Sequence, residues 1–236
     1  MIYAVSDLHG CYEPYQKLLD RLCLRADDTL SVLGDVIDRG PDGFQILLDM
    51  ASRPNVVGLM GNHEAMAIDA ISSLMRCAVG HGARGHSRAE EAVDLWFSNG
   101  GEVSLDGFLC LEEGEMQAAW NYMCAMTLYR EVEAGERRFL LLHGGLENFS
   151  PSRPMSDYKP EEILWCRPEP GTRYFSDRYV VLGHTPTQIL YGSVGGQNAC
   201  GKIFQTDSFI DIDCGCVFPG GRLGCLCLDT MEEIYV

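Results

Sequence analysis

Five short apolar runs recur along the chain: Met1 to Val5, Leu30 to Leu33, Val56 to Met60, Phe139 to Leu142 and Tyr179 to Leu182. Each is too short to stand alone as a helix, so each reads as a buried strand. Between them the apolar spacing lengthens to that of a helix. Leu18, Leu19 and Leu22 share a face over Pro14 to Leu24, with Glu13 and Pro14 at the front of that segment. Phe44 to Met50 supplies a helical crossover between the second and third runs, which makes those two strands parallel. A third helix runs to about Cys77 with Ala65, Ile68, Ile71 and Met75 on one face. Ala89 to Leu128 is mostly helical around a turn at Asn99 to Glu102, and FIDIDCGC, the turn FPGGR and LGCLCLD read as a β-hairpin. Strands alternating with helices predict an α/β fold in one domain over residues 1–236, with an α-rich cap insertion over about 65–130.

The strand ends carry the chemistry. Asp7 and His9 follow the first run, Asp35, Asp38 and Arg39 the second, and Asn62 and His63 the third, while His143 and His184 follow the fourth and fifth. In open α/β sheets the carboxyl edge of the strands is where ligands bind. One such GD or GN pair is an ordinary turn dipeptide. Five strand ends with carboxylate, amide or imidazole side chains point instead to a divalent-cation site built from mixed oxygen and nitrogen donors.

Composition narrows the field. A formal charge of -16 on 236 residues opposes long-range attraction to nucleic acid or anionic lipid, so neither is an expected partner. Asp7 follows the short first strand at once, with no basic and apolar leader before it, and no stretch approaches the roughly 18 apolar residues of a membrane span. A cytoplasmic setting is the expectation, and eleven cysteines scattered through apolar stretches fit reduced core residues. Cys214, Cys216, Cys225 and Cys227 could supply four thiolates to zinc, but CxC spacing also fills one face of a strand, and that reading is preferred. Gly80 to Arg88, glycine-rich and basic, reads as a mobile loop over the substrate rather than a source of ligands from His81 and His86. Trp96, Phe97 and Trp120 read as the core of the insertion.

DLHG at 7–10, GDVIDRG at 34–40, GNHE at 61–64, HGGL at 143–146 and GHTP at 183–186 together resemble the ordered motifs of the phosphoprotein phosphatase family. These are bimetal serine/threonine phosphatases of the calcineurin-like metallophosphoesterase superfamily, and the small bacterial and phage members are the most similar. The resemblance covers nearly the whole chain and implies a β-sandwich flanked by helices. It departs at Ser6, where the family usually has glycine. It implies that Asp7 and His9 hold one metal, that Asp35 bridges, and that Asn62, His143 and His184 complete the second. His63 matches the catalytic histidine, Asp38 the carboxylate that raises its pKa, and Arg39 and Arg167 the phosphate clamp.

Two divalent ions, manganese first and iron or zinc as alternatives, would activate a water for attack on a phosphomonoester. A phosphoprotein is the first expected substrate. A symmetrical diadenosine tetraphosphate hydrolase of the same fold is the alternative, and a binding module without chemistry is a third reading. Phosphodiesterases with a GHxH motif are disfavoured because Pro186 stands at that second histidine.

Overall fold

The computed structural model describes residues 1–78, 82–195 and 201–236. The first apolar runs form β1 (Ile2–Val5), β2 (Thr29–Val32) and β3 (Val56–Gly58), parallel to one another. They are joined by α1 (Tyr12–Leu22) and by α2 (Gly43–Ser52), the predicted crossover. Two later strands, β9 (Gly224–Cys227) and β10 (Glu233–Tyr235), complete a sheet of order β10-β9-β1-β2-β3. The second sheet contains β4 (Tyr129–Ala134), β5 (Arg137–Leu142), β6 (Tyr179–Leu182), β7 (Phe204–Gln205) and β8 (Phe209–Asp211), in order β4-β5-β6-β8-β7.

Strand alternation sorts the side chains into layers. Phe139, Leu141, Val181 and Ile210 of the second sheet meet Ala4 and Leu226 of the first in the core between the sheets. Val5, Leu30 and Val32 point the other way and pack under Leu18, Ile46 and Leu47 of α1 and α2. Leu140, Leu142 and Val180 face outward with Ile163 and Leu190, from α7 (Pro160–Leu164) and α8 (Thr187–Ser193). The expected sandwich of two sheets flanked by helices is therefore present. No helix among the described residues is long and apolar enough to cross a membrane.

Four helices, α3 (Asn62–Ala78), α4 (Gly82–Ser98), α5 (Glu102–Leu109) and α6 (Glu113–Ala125), lie between β3 and β4. Met66, Ala70, Ala92, Trp96, Ala119 and Met123 join the same buried cluster as β1, β2 and α2, so the insertion shares the core of the first sheet. Met75 is exposed rather than on the buried face, where Met66 and Ala67 lie instead.

Three expectations need correction. The basic segment is helical from Gly82 onward, because Ala89, Ala92 and Trp96 give α4 a buried face and helix propagates back from it through the glycines. His81 lies outside the described residues, as does the side chain of His86.

The expected C-terminal hairpin does not form. β8 pairs with β6 and β7 in the second sheet, while β9 pairs with β1 and β10 in the first, and the FPGGR turn carries the chain between sheets. Both strands are buried along their whole length and need neighbours on each side, which a lone hairpin cannot supply. The cysteine pairs are split accordingly, with Cys214 in the inter-sheet core and Cys225 under the helices.

A strand was also missed. β4 forms an antiparallel hairpin with β5, but Glu131 and Glu133 face solvent on this edge strand, so YREVEA shows no apolar run.

Candidate metal centre and active site

β1, β2 and β3 are parallel, as are β5, β6 and β8, so the turns after all six leave at the carboxyl ends of their sheets. These turns are unusual in backbone conformation. Asp7, His9, Asp35, Asp38, Arg39 and His184 all have positive φ, between 42° and 72°. Non-glycine residues adopt that region at a cost and only where the surroundings over-determine it, and such residues cluster at functional sites. The close approach of the turns explains one glycine. A Cβ on Gly34, whose φ is +85°, would lie 2.5 Å from the Cα of Gly61, so GD and GN can sit together only with glycine at both.

Asp35 stands at the middle of the site. Its Oδ2 faces His9 Nε2 at 3.6 Å and His63 Nε2 at 3.7 Å, and its Oδ1 faces His143 Nε2 at 3.3 Å. Two groups of ligand atoms, each within 4.8 Å of one another, share this carboxylate: His9, Asp35 and His63, and Asp35, His143 and His184. Asn62 Oδ1 lies 2.9 Å from His143 Nε2, which places it with the second group. Asp7 is buried beside them, where its Oδ2 accepts from the Ser6 hydroxyl and, at 3.0 Å, from the His184 backbone N–H.

Tautomers can be assigned from the partners. His143 Nδ1 donates to the Leu33 carbonyl at 2.7 Å and His9 Nδ1 to the Ile37 carbonyl at 2.9 Å. Each Nε2 therefore carries a lone pair. At His143 that lone pair converges with Asn62 Oδ1 at 2.9 Å, His184 Nδ1 at 3.2 Å and Asp35 Oδ1 at 3.3 Å, four ligand-type atoms gathered at one point. His184 Nε2 is buried with no protein partner. Acceptors gathered this way suit a cation, and the residues present fit divalent ions bound by oxygen and imidazole.

The electrostatics agree. Burial lowers the pKa of His143 and His184, and burial followed by Arg39 lowers that of His9 to about 3, so the imidazoles stay neutral as metal ligands require. Burial, then the charges of Asp7 and Glu64, push the Asp35 carboxyl well above its usual range. A positive ion between these groups would relieve that repulsion.

The histidine–aspartate pair lies alongside. His63 Nδ1 is 2.6 Å from Asp38 Oδ2, and Asp38 is oriented by Trp96 Nε1, which donates to both carboxylate oxygens at 3.0 and 2.9 Å. The Asp38 backbone N–H donates to Ser104 Oγ at 2.8 Å. Asp38 does not raise the pKa of His63 here as expected. Burial, then Arg39, lowers His63 to about 2, and Asp38, itself pushed up to about 7 by burial, is a weak counter-charge. Arg39 reaches His9 Nε2 at 2.6 Å and His63 Nε2 at 3.1 Å, with its guanidinium over the Phe218 ring. Arg167 donates from its NH1 nitrogen to the His184 carbonyl at 2.5 Å. Both arginines are thus tied to the histidines of the site.

Some functional residues were not foreseen. Glu64 is fully buried and accepts from the backbone N–H groups of Asp35 (2.9 Å), Val36 (2.8 Å), Ile37 (3.3 Å) and Gly61 (3.0 Å), which clamps the GD and GN turns together. Its signal was the last letter of GNHE. Trp96 is core, as expected, and also orients Asp38. Asp213, just after β8, is a buried carboxyl whose pKa is raised by burial and then by Asp7. The hairpin reading hid it, because only a β8 parallel to β6 brings its end to this edge.

The model of the calcineurin-like phosphoesterase family matches residues 1–213. The chain belongs to this family. That family is one of phosphoesterases that bind two divalent metals. The symmetrical bis(5'-nucleosyl)-tetraphosphatase of Chromobacterium violaceum is 30% identical over 178 residues, 69% of this chain and 61% of the relative. The Pseudomonas fluorescens protein of the same name is 37% identical over 138 residues, 56% of this chain and 49% of the relative. The chain therefore spans about half to three-fifths of the length of those relatives. A solved structure of a candidate diadenosine tetraphosphatase superposes with a TM-score of 0.65 at 20% identity, over 100% of this chain and 92% of the other. A serine/threonine phosphatase of Saccharomyces cerevisiae superposes at 0.56 with 16% identity, over 100% of this chain and 78% of the other. At those identities the likeness is one of fold.

Proposed function

We propose that this phosphoesterase cleaves a dinucleoside tetraphosphate symmetrically, by attack of water on a phosphorus held between Arg39, Arg167 and the acceptors around Asp35. The observation that carries a hydrolytic metal centre is the convergence of His143 Nε2, Asn62 Oδ1, His184 Nδ1 and Asp35 Oδ1 on one buried point. Relatives named as symmetrical tetraphosphatases favour the dinucleotide over the phosphoprotein that the motifs first suggested. Asp7, His9, Asp35, Asn62, His143 and His184 would hold the ions, manganese being the first choice. Two such ions lower the pKa of water and neutralise phosphoryl oxygens.

The chain's own residues supply the rest. Arg39 and Arg167 present planar forks to non-bridging oxygens, a geometry lysine cannot reproduce. A phosphoryl group that draws Arg39 away from His63 Nε2 puts an anion where a cation had been, which raises the His63 pKa toward protonation. As the water oxygen bonds to phosphorus and releases its proton to solvent, the bond to the bridging oxygen breaks. Its electron pair leaves with the nucleoside diphosphate, and His63, steadied by Asp38, gives that oxygen a proton.

Metal-stripped protein should regain p-nitrophenyl phosphatase activity on addition of Mn²⁺. Unchanged activity after rigorous chelation would sink the bimetal reading. With diadenosine tetraphosphate the products should be ADP alone by anion-exchange chromatography. Formation of ATP and AMP, or faster turnover of a phosphoserine peptide, would overturn the substrate assignment. His63→Asn should keep its metal and lose ~10²–10⁴-fold on phosphoserine, with a smaller loss on the tetraphosphate, whose leaving group needs a proton less. Equal losses on both would remove His63 as the acid.

A further inference from the structure

A cavity of about 470 Å³ opens beside the phosphate clamp, walled by Arg167, Pro168, Pro170, Thr185, Ile189 and Val194. Its volume lies in the ~300–1,000 Å³ range of small-ligand pockets. We infer that it is the nucleoside subsite of the phosphoesterase, and that it receives the base and sugar one phosphate removed from the scissile phosphorus. This inference rests on the dinucleotide reading above and gives that reading a location.

Continuity with the metal centre comes first. Arg167 forms one wall, and the same guanidinium donates to the His184 carbonyl at 2.5 Å and to Thr185 Oγ1 at 3.3 Å. A phosphate chain held by Arg167 therefore has the metal-binding histidine on one side and the cavity on the other. Thr185 and Leu190 are buried and form the floor, whereas Ile189 and Val194 stand at the mouth, 59% and 55% exposed. Two branched apolar side chains that far out of the core are costly to leave in water, and they offer faces for a planar ring.

The polar groups select what can enter. Glu169 lines the cavity, and among the described residues Arg167, already the phosphate wall, is its one cation. A further phosphate would meet a carboxylate in a chain of net charge -16, so the cavity suits the uncharged end of the ligand. Glu169 and Ser193 can instead accept from ribose hydroxyls or an exocyclic amine. A phosphoserine side chain has no planar group to put there. The cavity thus favours a nucleotide over a phosphoester that ends at a small alcohol.

The test compares Ile189→Asp and Val194→Asp with the wild-type protein loaded with Mn²⁺. Both positions are exposed, so neither change threatens the fold. The readout is the ratio of kcat/KM for diadenosine tetraphosphate to that for inorganic tetraphosphate, which has the same anhydride and no nucleoside. The ratio should fall about tenfold or more in each variant, mainly through KM for the dinucleotide, as loss of an apolar contact predicts. An unchanged ratio overturns the subsite. If the wild-type protein does not cleave the dinucleotide at all, the substrate reading fails by itself. The cavity is then judged by inhibition of p-nitrophenyl phosphate hydrolysis. ADP should inhibit at least about tenfold better than inorganic diphosphate in the wild type and lose that advantage in Ile189→Asp. Equal inhibition by the two in the wild type overturns the subsite as well.

Discussion

Asp35→Asn should leave the protein with at most one tightly bound metal ion per chain and should cut kcat by on the order of 10³-fold or more, because the carboxylate that both ligand groups share becomes an amide. Metal analysis after gel filtration, paired with turnover of diadenosine tetraphosphate, measures both effects. The same change should make the metal-free protein more stable. Asp35 is buried with Asp7 and Glu64 nearby, and its pKa is raised, so the folded state resists its ionised form and an isosteric neutral amide removes that penalty. Chelated Asp35→Asn should therefore melt above chelated wild type, while the order reverses with Mn²⁺ present. Two ions retained by the variant at full affinity would rule out the bridging position.

The second large effect belongs to a residue that touches no ligand in this reading. Glu64→Ala removes one carboxylate and orphans four backbone N–H groups, those of Asp35, Val36, Ile37 and Gly61, all buried or at the edge of the site. A buried donor left unsatisfied costs ~1–3 kcal/mol, and water entering the space offsets part of the sum, so a loss of ~3–5 kcal/mol is expected. For a chain of this size that corresponds to a fall in Tm on the order of 10 °C. Manganese affinity should drop about 10–100-fold because the turns bearing Asp35 and Asn62 are no longer locked together. Glu64→Gln, which keeps one acceptor oxygen, should fall between. A Tm within about 2 °C of wild type for the alanine variant would show that the clamp holds nothing.

Much of this site could be read from the chain because each metal-type residue ends an apolar run. Asp7, Asp35, Asn62, His143 and His184 follow β1, β2, β3, β5 and β6, and parallel pairing with crossover helices sends such ends to one edge. Local patterning determines the runs, and topology does the rest. Residues that act through contacts distant in sequence were not legible. Trp96 reaches Asp38 across 58 positions, and Glu64 serves Val36 and Ile37 from 28 and 27 positions away. The character of the basic segment was likewise decided by packing, since Ala89, Ala92 and Trp96 needed a buried face to lie against.

Periodicity also could not tell which strand lies beside which. FIDID and GCLCL are each consistent with a hairpin, but β8 and β9 are both interior strands and went to different sheets. That choice brought Asp213 to the edge that carries the candidate site and separated Cys214 from Cys225. The protonation of His63 was beyond the sequence for a similar reason, because burial and the position of Arg39 outweigh a bonded carboxylate.

The sequence by itself determined the five apolar strands that lead into the site, the crossover helices and the identity of the side chains at those strand ends, since these depend on neighbours a few positions apart. Only the tertiary structure decided how the ligand atoms divide around Asp35, what clamps the turns, and where a cavity meets Arg167. Those features depend on lone pairs and buried donors brought together from distant positions, and their energies exist only once water has been excluded from between them.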